Sequence, residues 1–283
     1  MHVRLAGLAT LHRSALLALA LATAPLHADI AEPSGPPPAH EAEPLILDVP
    51  YVPTPDVAVY RMLEMAGVQP DDYVIDLGSG DGRIVIAAAR DWGVKKALGI
   101  DIDPERIVEA NENARKAGVE DRVRFVRGNL FEMDFSDVDV LTMYLLPSIN
   151  LELRPVILEK LRPGTRIVSH AFDMGEWRPD EYHLVHGRYI YKWVVPARVA
   201  GKWRVRHADG RTLDLEFVQE LHSVQGTTHE ADGRAHPLDF VDVRGPIIRF
   251  SLDDAHYTGR VEGDTITALP GNRVVEGWHA TRF

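Results

Sequence analysis

The sequence predicts an α/β fold, a doubly wound and mostly parallel seven-stranded sheet, followed by a small antiparallel β unit. Three observations carry this expectation. From residue 71 to about residue 161, short β-rich runs alternate with helical patterns, the signature of a parallel sheet covered by helices. A glycine-rich turn, Asp76-Leu77-Gly78-Ser79-Gly80-Asp81-Gly82, joins the first run to the first helical pattern. After residue 197 the helical period is lost, and short β-rich runs alternate with turn signals.

In chain order, 73–77 reads as the first strand, 83–90 as the first helix and 97–101 as the second strand. A helix from Pro104 to about Lys116 follows, with Asp103 as its N-cap and Gly118 as its stop. Strands at 123–127 and 138–144, a helix over 149–161 and a strand at 166–170 complete the alternation. The runs 182–186 and 189–195 read as a hairpin at the sheet edge, with the helix before them missing or very short. In the last unit, strands are expected at 199–205, 212–219, 247–252, 257–261, 265–268 and 274–278. Asp209-Gly210, Asp232-Gly233 and Gly263-Asp264 are the turn signals between them. A barrel or a sandwich follows from that spacing. Gly201-Lys202-Trp203 and Arg282 resemble the Gly-x-Trp and closing Arg of lipocalin-like barrels.

Ahead of the folded part, Arg4 and Arg13 precede an apolar run at 15–24, then Leu26-His27-Ala28 and Asp29. This is the order of a secretory signal peptide. The run is shorter than the ~20 apolar residues that span a bilayer. Residues 1–28 are therefore expected to be a signal peptide cleaved near Ala28 or an uncleaved membrane anchor. The chain would then be periplasmic, secreted or membrane-anchored. A Pro-rich linker is expected at 29–44, the α/β domain at 45–196 and the β domain at 197–283.

Charge narrows the function. Residues 45–186 hold 16 Lys and Arg against 25 Asp and Glu, a net charge of −9. Nucleic-acid affinity comes largely from basic side chains on phosphates, so DNA and RNA are not expected partners. With no cysteine, disulfides, thiolate metal sites and cysteine nucleophiles are excluded. The 13 histidines show no His-x-x-x-His spacing, and no metal is expected.

The glycine turn identifies the ligand by exclusion and by charge. Gly82-Arg83-Ile84 lacks the Gly-Lys-Ser/Thr ending of a phosphate-binding Walker loop, and glycines at 78, 80 and 82 do not make Gly-x-Gly-x-x-Gly. Asp76 and Asp81 flank the turn where a pyrophosphate would lie, and two carboxylates there repel phosphate. S-adenosylmethionine has no phosphate and carries a sulfonium and an ammonium, which the same carboxylates attract. Gly78 and Gly80 let the backbone approach its methionine and ribose parts. Asp101, at the end of the second strand, is expected to accept hydrogen bonds from the ribose hydroxyls. Asn129 is placed for the adenine edge or is a turn residue. Leu130 or Phe131 would cover the ring face.

Residues 49–180 resemble a lysine methyltransferase family that includes the ATP-synthase c-subunit methyltransferase and its bacterial relatives. Four stretches carry the resemblance: Val49-Pro50-Tyr51-Val52-Pro53-Thr54-Pro55, the glycine turn through Ile86, Tyr144-Leu145-Leu146-Pro147, and Val168-Ser169-His170-Ala171-Phe172-Asp173-Met174-Gly175-Glu176-Trp177. The resemblance implies a class I methyltransferase sheet and N-methylation of a protein lysine, the protein partner being membrane-associated or soluble. It does not reach the β domain. Tyr144 is the first candidate for an aromatic acceptor channel, or else a packed strand-end tyrosine. Tyr51 and Thr54 would close over the cofactor, or Thr54 would only cap a helix beginning at Pro55. His170 and Asp173 would orient or deprotonate the acceptor amine, or brace their loop. A small-molecule N- or O-methyltransferase, and a non-catalytic envelope protein acting through its β domain, are the competing expectations.

Overall fold

The first strand shows why this sequence makes a parallel sheet. β1 (Tyr73–Leu77) is apolar on both faces except for Asp76, and four of its five residues are buried, as expected of a strand covered by helices on each side. Beside it lie β2 (Lys96–Asp101), β3 (Val123–Arg127), β4 (Val140–Met143) and β5 (Arg166–His170), followed by the hairpin β6 (Glu181–Val185) and β7 (Arg188–Val194). The computed structural model describes residues 51–229 and 234–283, all in one compact unit, Leu45–Phe283. The signal and linker expectations, Val49-Pro50 and the Asp232-Gly233 turn lie outside the described residues.

The order across the sheet is β3-β2-β1-β4-β5-β7-β6. β1 to β5 run parallel, β7 is antiparallel to β5, and β6 is antiparallel to β7. The order reverses between β1 and β4, and a crevice opens at the carboxyl ends of strands at such a switch point. α1 (Asp56–Ala66), α2 (Arg83–Asp91) and α3 (Pro104–Ala117) cover one face, and α4 (Pro147–Lys160) covers the other. Asp103 caps α3 by accepting the Glu105 N–H at 2.8 Å, and Gly118 ends it in the left-handed conformation. The expected cap of α1 is corrected. Pro55, not Thr54, is the N-cap, and no side chain caps that end. The connection from β5 to β6 has no helix.

The last unit is an antiparallel sheet of nine strands: β8 (Gly201–His207), β9 (Thr212–Glu220), β10 (Ser223–His229), β11 (Ala235–Pro237), β12 (Phe240–Arg244), β13 (Ile247–Leu252), β14 (Ala255–Glu262), β15 (Thr265–Ala268) and β16 (Trp278–Arg282). It is a meander in which the first strand pairs with the last. Among the described residues the two edge strands, β11 and β12, do not pair with each other. The sheet therefore curls into a half-barrel filled by Trp203, Phe217, Phe250, Tyr257 and Trp278. The Arg282 guanidinium lies 4.4 Å from the centre of the Trp203 ring, so the Gly-x-Trp and closing Arg meet in space. The strand expected at 274–278 is displaced to β16, because Arg273 and Gly277 both take positive φ and break extension there. β10, β11 and β12 were not expected.

Candidate functional site

The crevice at the switch point is a cavity of about 130 Å³ between the carboxyl ends of β1, β2 and β4. The glycine turn forms its floor. Gly78, Gly80 and Gly82 all have positive φ, between 53° and 81°. A Cβ on Gly78 would fall 2.7 Å from Leu145, and one on Gly80 would fall 2.5 Å from Tyr51. Both positions therefore require glycine for conformation and for space.

Asp101 holds that floor in place. One carboxylate oxygen accepts the Gly80 N–H at 2.7 Å and the other accepts the Asp103 N–H at 3.0 Å. Asp101 lines the cleft, and each oxygen retains a further lone pair, enough to receive a vicinal diol. Asp76 is buried beneath the turn and accepts the Thr142 hydroxyl at 2.7 Å. Burial pushes its carboxyl well above the ordinary range, the Thr142 bond opposes this, and the charges of Asp101 and Asp81 push the same way as burial. A cation reaching Asp76 would restore its ionised form. Ser79 adds a buried hydroxyl with no hydrogen-bond partner.

Asp81 departs from the expectation that it offers free charge to the ligand. Arg83 clasps it with Nε at 3.0 Å and Nη2 at 2.6 Å, and donates from Nη1 to the Thr54 carbonyl at 2.8 Å. Burial alone would raise the Asp81 carboxyl, but the Arg83 bonds and charge outweigh it and hold it below the ordinary value. Arg83, missed at the sequence level, ties the segment ahead of α1 to the glycine turn. Tyr51 lies over Gly80 with the Arg106 guanidinium 4.7 Å from its ring centre. Thr54 is buried, lines the cleft and sits 3.3 Å from His170 Nδ1 through its hydroxyl.

On the far side, Leu130 lines the cleft with Ile102, Phe131 and Ile149. Asn129 also lines it, but its amide is engaged in its own turn. Oδ1 accepts the Phe131 N–H at 3.1 Å and Nδ2 donates to Glu132 at 3.2 Å, leaving one N–H for a ligand. Tyr144, one residue past β4, closes the end of the cleft. Its ring lies 4.2 Å from that of His170 and 6.3 Å from that of Phe172.

His170 and Asp173 do not line the cleft. His170 is buried behind Tyr144, and burial, with Arg188 adding to it, lowers its pKa to about 4. Asp173 is exposed and accepts the Gly175 N–H at 2.9 Å, which makes it a turn residue. The loop after β5 is shaped instead by Asn150 of α4, also missed. This buried side chain places Nδ2 within 3.2 Å of Ser169 Oγ and of the Phe172 and Asp173 carbonyls. Ala171, between them, is held at φ 69°.

A cleft with one buried carboxyl, a diol-ready carboxylate, a glycine floor and apolar walls suits a phosphate-free nucleoside cation. Comparison with known proteins agrees. Residues 76–181 match the ANTKMT methyltransferase domain family. The chain is 50% identical over 149 residues to a protein-lysine N-methyltransferase of Saccharolobus islandicus, an alignment covering 50% of this chain and 92% of that protein. It is 31% identical over 182 residues to the ATP synthase c-subunit lysine N-methyltransferase of Xenopus laevis, covering 64% and 74%. A crystal structure of an RNA methyltransferase from Salinibacter ruber with S-adenosyl-L-homocysteine is 52% identical, covers 52% of this chain and 96% of that one, and superposes with a TM-score of 0.51. This chain therefore belongs to the methyltransferase family of these Saccharolobus and Xenopus relatives and is an enzyme dependent on S-adenosylmethionine.

Proposed function

We propose that the enzyme methylates a lysine side chain of a protein. The observation that carries this reading is the aromatic end wall of the cleft, Tyr144 backed by His170 and flanked by Phe172. A lysine attacks only as the neutral amine, and with a free pKa of about 10.4 its neutralisation at pH 7 costs roughly 4–5 kcal/mol. An apolar, aromatic channel disfavours the ammonium and lowers that cost. When bound, S-adenosylmethionine supplies an activated methyl group beside a positive sulfonium.

The chain's own residues position both partners. Asp101, Gly78 and Gly80 would hold the ribose and methionine parts, and Asp76 would face the positive end. Asn129 and Leu130 would hold the adenine, with Tyr51 and Thr54 closing the cleft. Tyr144 would orient the amine for in-line attack, where most of the acceleration comes from alignment. His170, with a pKa of about 4, is too weak a base to take a lysine proton, so it acts by positioning Tyr144.

The names of the archaeal and frog relatives support a lysine acceptor, whereas that of the Salinibacter neighbour offers RNA. The net charge of −9 over residues 45–186 weighs against RNA. The test supplies labelled S-adenosylmethionine with cell protein or with cell RNA, followed by hydrolysis and chromatography. Label in Nε-methyl-lysine is expected, falling by about tenfold or more in Tyr144→Ala with cofactor affinity kept. Label in nucleosides alone would sink the lysine reading. In the same proposal, residues 1–28 are an export signal or a membrane anchor, and the intact mass of the purified chain distinguishes the two.

A further inference from the structure

The β6–β7 hairpin ends the parallel sheet with a bare face. Side chains alternate along a strand, so Tyr182 and Leu184 share a face with Tyr189, Tyr191 and Trp193, in the register Tyr182↔Tyr191 and Leu184↔Tyr189. Trp193 is fully buried against Trp177, but beyond it the cover stops. Tyr182 is 61% exposed, Leu184 62% and Tyr189 43%. The three tyrosine rings form a ladder with centroids 5.7 to 6.5 Å apart.

The cause is the helix-free connection over 171–180. Met174 and Trp177 plug the sheet over β5 and Trp193, which leaves Tyr182, Leu184 and Tyr189 exposed. The opposite face of the hairpin is covered, with Ile190 and Val185 packed into the cluster that contains α1. Glu181, His183 and Lys192 pair with one another on that opposite face. The ladder is thus a sheet face lacking the helix that usually covers it.

Two features say what belongs there. The face adjoins the loop behind Tyr144, where the Ala171 N–H donates to the Tyr189 carbonyl at 2.7 Å and the next residue, Phe172, stacks on Tyr144. Burial and the nearby Asp173 charge both raise the Tyr191 hydroxyl, and Asp173 follows Phe172, which stacks on Tyr144. Two carboxylates also edge it, Asp173 near Tyr191 and Asp180, which accepts the Val194 N–H at 2.8 Å, while Arg154 of α4 is engaged with the Met174 carbonyl. An apolar face edged with carboxylates complements an apolar segment that bears a lysine.

We propose that this face docks the acceptor protein itself, as an α-helix apolar on one side, lying in the place of the missing cover with its lysine directed to Tyr144. The proposal rests on the lysine reading above. Its test uses the full chain and a fluorescent helical peptide of about 18 residues with one apolar stripe and a single terminal lysine. A twin peptide with two central prolines serves as control. Anisotropy should show binding to the wild type. The proline twin, and the Tyr182→Ser/Leu184→Ser/Tyr189→Ser variant, should each weaken it by about tenfold or more, with the variant's S-adenosylmethionine affinity unchanged. Equal binding by the variant, or no binding by the wild type, overturns the docking face. Protection of Tyr182 and Tyr189 from hydroxyl radicals in the free chain overturns it too, because residues 1–50 or a second copy would then occupy the face. Binding that depends on the ladder without methyl transfer to the peptide keeps the docking face and removes the lysine reading.

Discussion

Asp76 is a residue whose place in the site is unfavourable for the empty fold. It is buried, it accepts one hydroxyl from Thr142, and its carboxyl is raised well above the ordinary range. A carboxyl raised in the folded state stabilises below its unfolded pKa, and this contribution is lost as pH rises through the folded value. At neutral pH the ligand-free fold therefore bears the cost of burying a carboxyl that is ionised in the unfolded chain. Asp76→Asn keeps an acceptor for Thr142 and removes that cost. It should stabilise the ligand-free chain by about 1–2 kcal/mol in urea at pH 7 while weakening S-adenosylmethionine by about tenfold or more by calorimetry. A less stable variant would mean that the carboxylate is already satisfied without ligand. His170 runs the other way. Its pKa is lowered from 6.5 to about 4, so its stabilising contribution is full above 6.5 and is lost as pH falls toward 4. By pH 5 the wild type should lose about 2 kcal/mol that His170→Gln does not lose. Parallel urea-stability profiles for the two proteins between pH 7 and pH 5 would refute the buried neutral imidazole.

At the scale of elements, what the sequence made legible was whatever local chemistry decides. β1 is apolar except for Asp76, β2 holds Ala97-Leu98-Gly99-Ile100 between charged ends, β3 sets Val123, Phe125 and Val126 among arginines, and α3 carries its own start in Asp103-Pro104 and its stop in Gly118. Even the absent helix before β6 was readable, because no 3.6-residue period runs through 171–180. What escaped depends on distant partners. β10, Ser223–His229, is mostly small and polar, and only the fold shows that Gly226 must be bare to admit Leu238 and Phe217. The site divides the same way. The glycines and Asp101 follow from a local motif, whereas Arg83 and Asn150 bridge segments far apart in sequence and carry no local signal. Asp173 misleads for the complementary reason. Its position after β5 suggests chemistry, but Oδ1 accepts the Gly175 N–H of its own turn, the bracing role that was the alternative expectation.

For the whole molecule, the question is whether the β unit shares in the chemistry or only accompanies it. The Saccharolobus and Salinibacter proteins are covered over 92% and 96% of their length by about half of this chain. Methyltransferases of this family therefore exist with little room for a unit like 197–283. The apolar clusters agree in the main, since one fills the half-barrel with residues from Ala197 to Ala280 while the buried residues of the other two end at Val195, with Leu221 of the half-barrel packed against one of them. What crosses between them is Arg198, donating to the Leu158 carbonyl at the end of α4 at 3.0 Å, Leu221, packed against a parallel-sheet cluster, and a close approach of Gly245 and Pro246 to Gly164 and Val194. Such a junction transmits orientation more than stability. Because a ligand stabilises only the unit that binds it, S-adenosylmethionine at about 100 times its Kd should add about 2.7 kcal/mol to the parallel-sheet unit alone. Scanning calorimetry should then show one transition rising by roughly 5–10 °C while a second stays in place. Deleting 197–283 should remove the unmoved transition and leave cofactor affinity intact. A single transition that shifts as a whole would mean instead that the half-barrel is part of the fold that holds the cofactor, and that the extra strands were added to the enzyme's core rather than beside it.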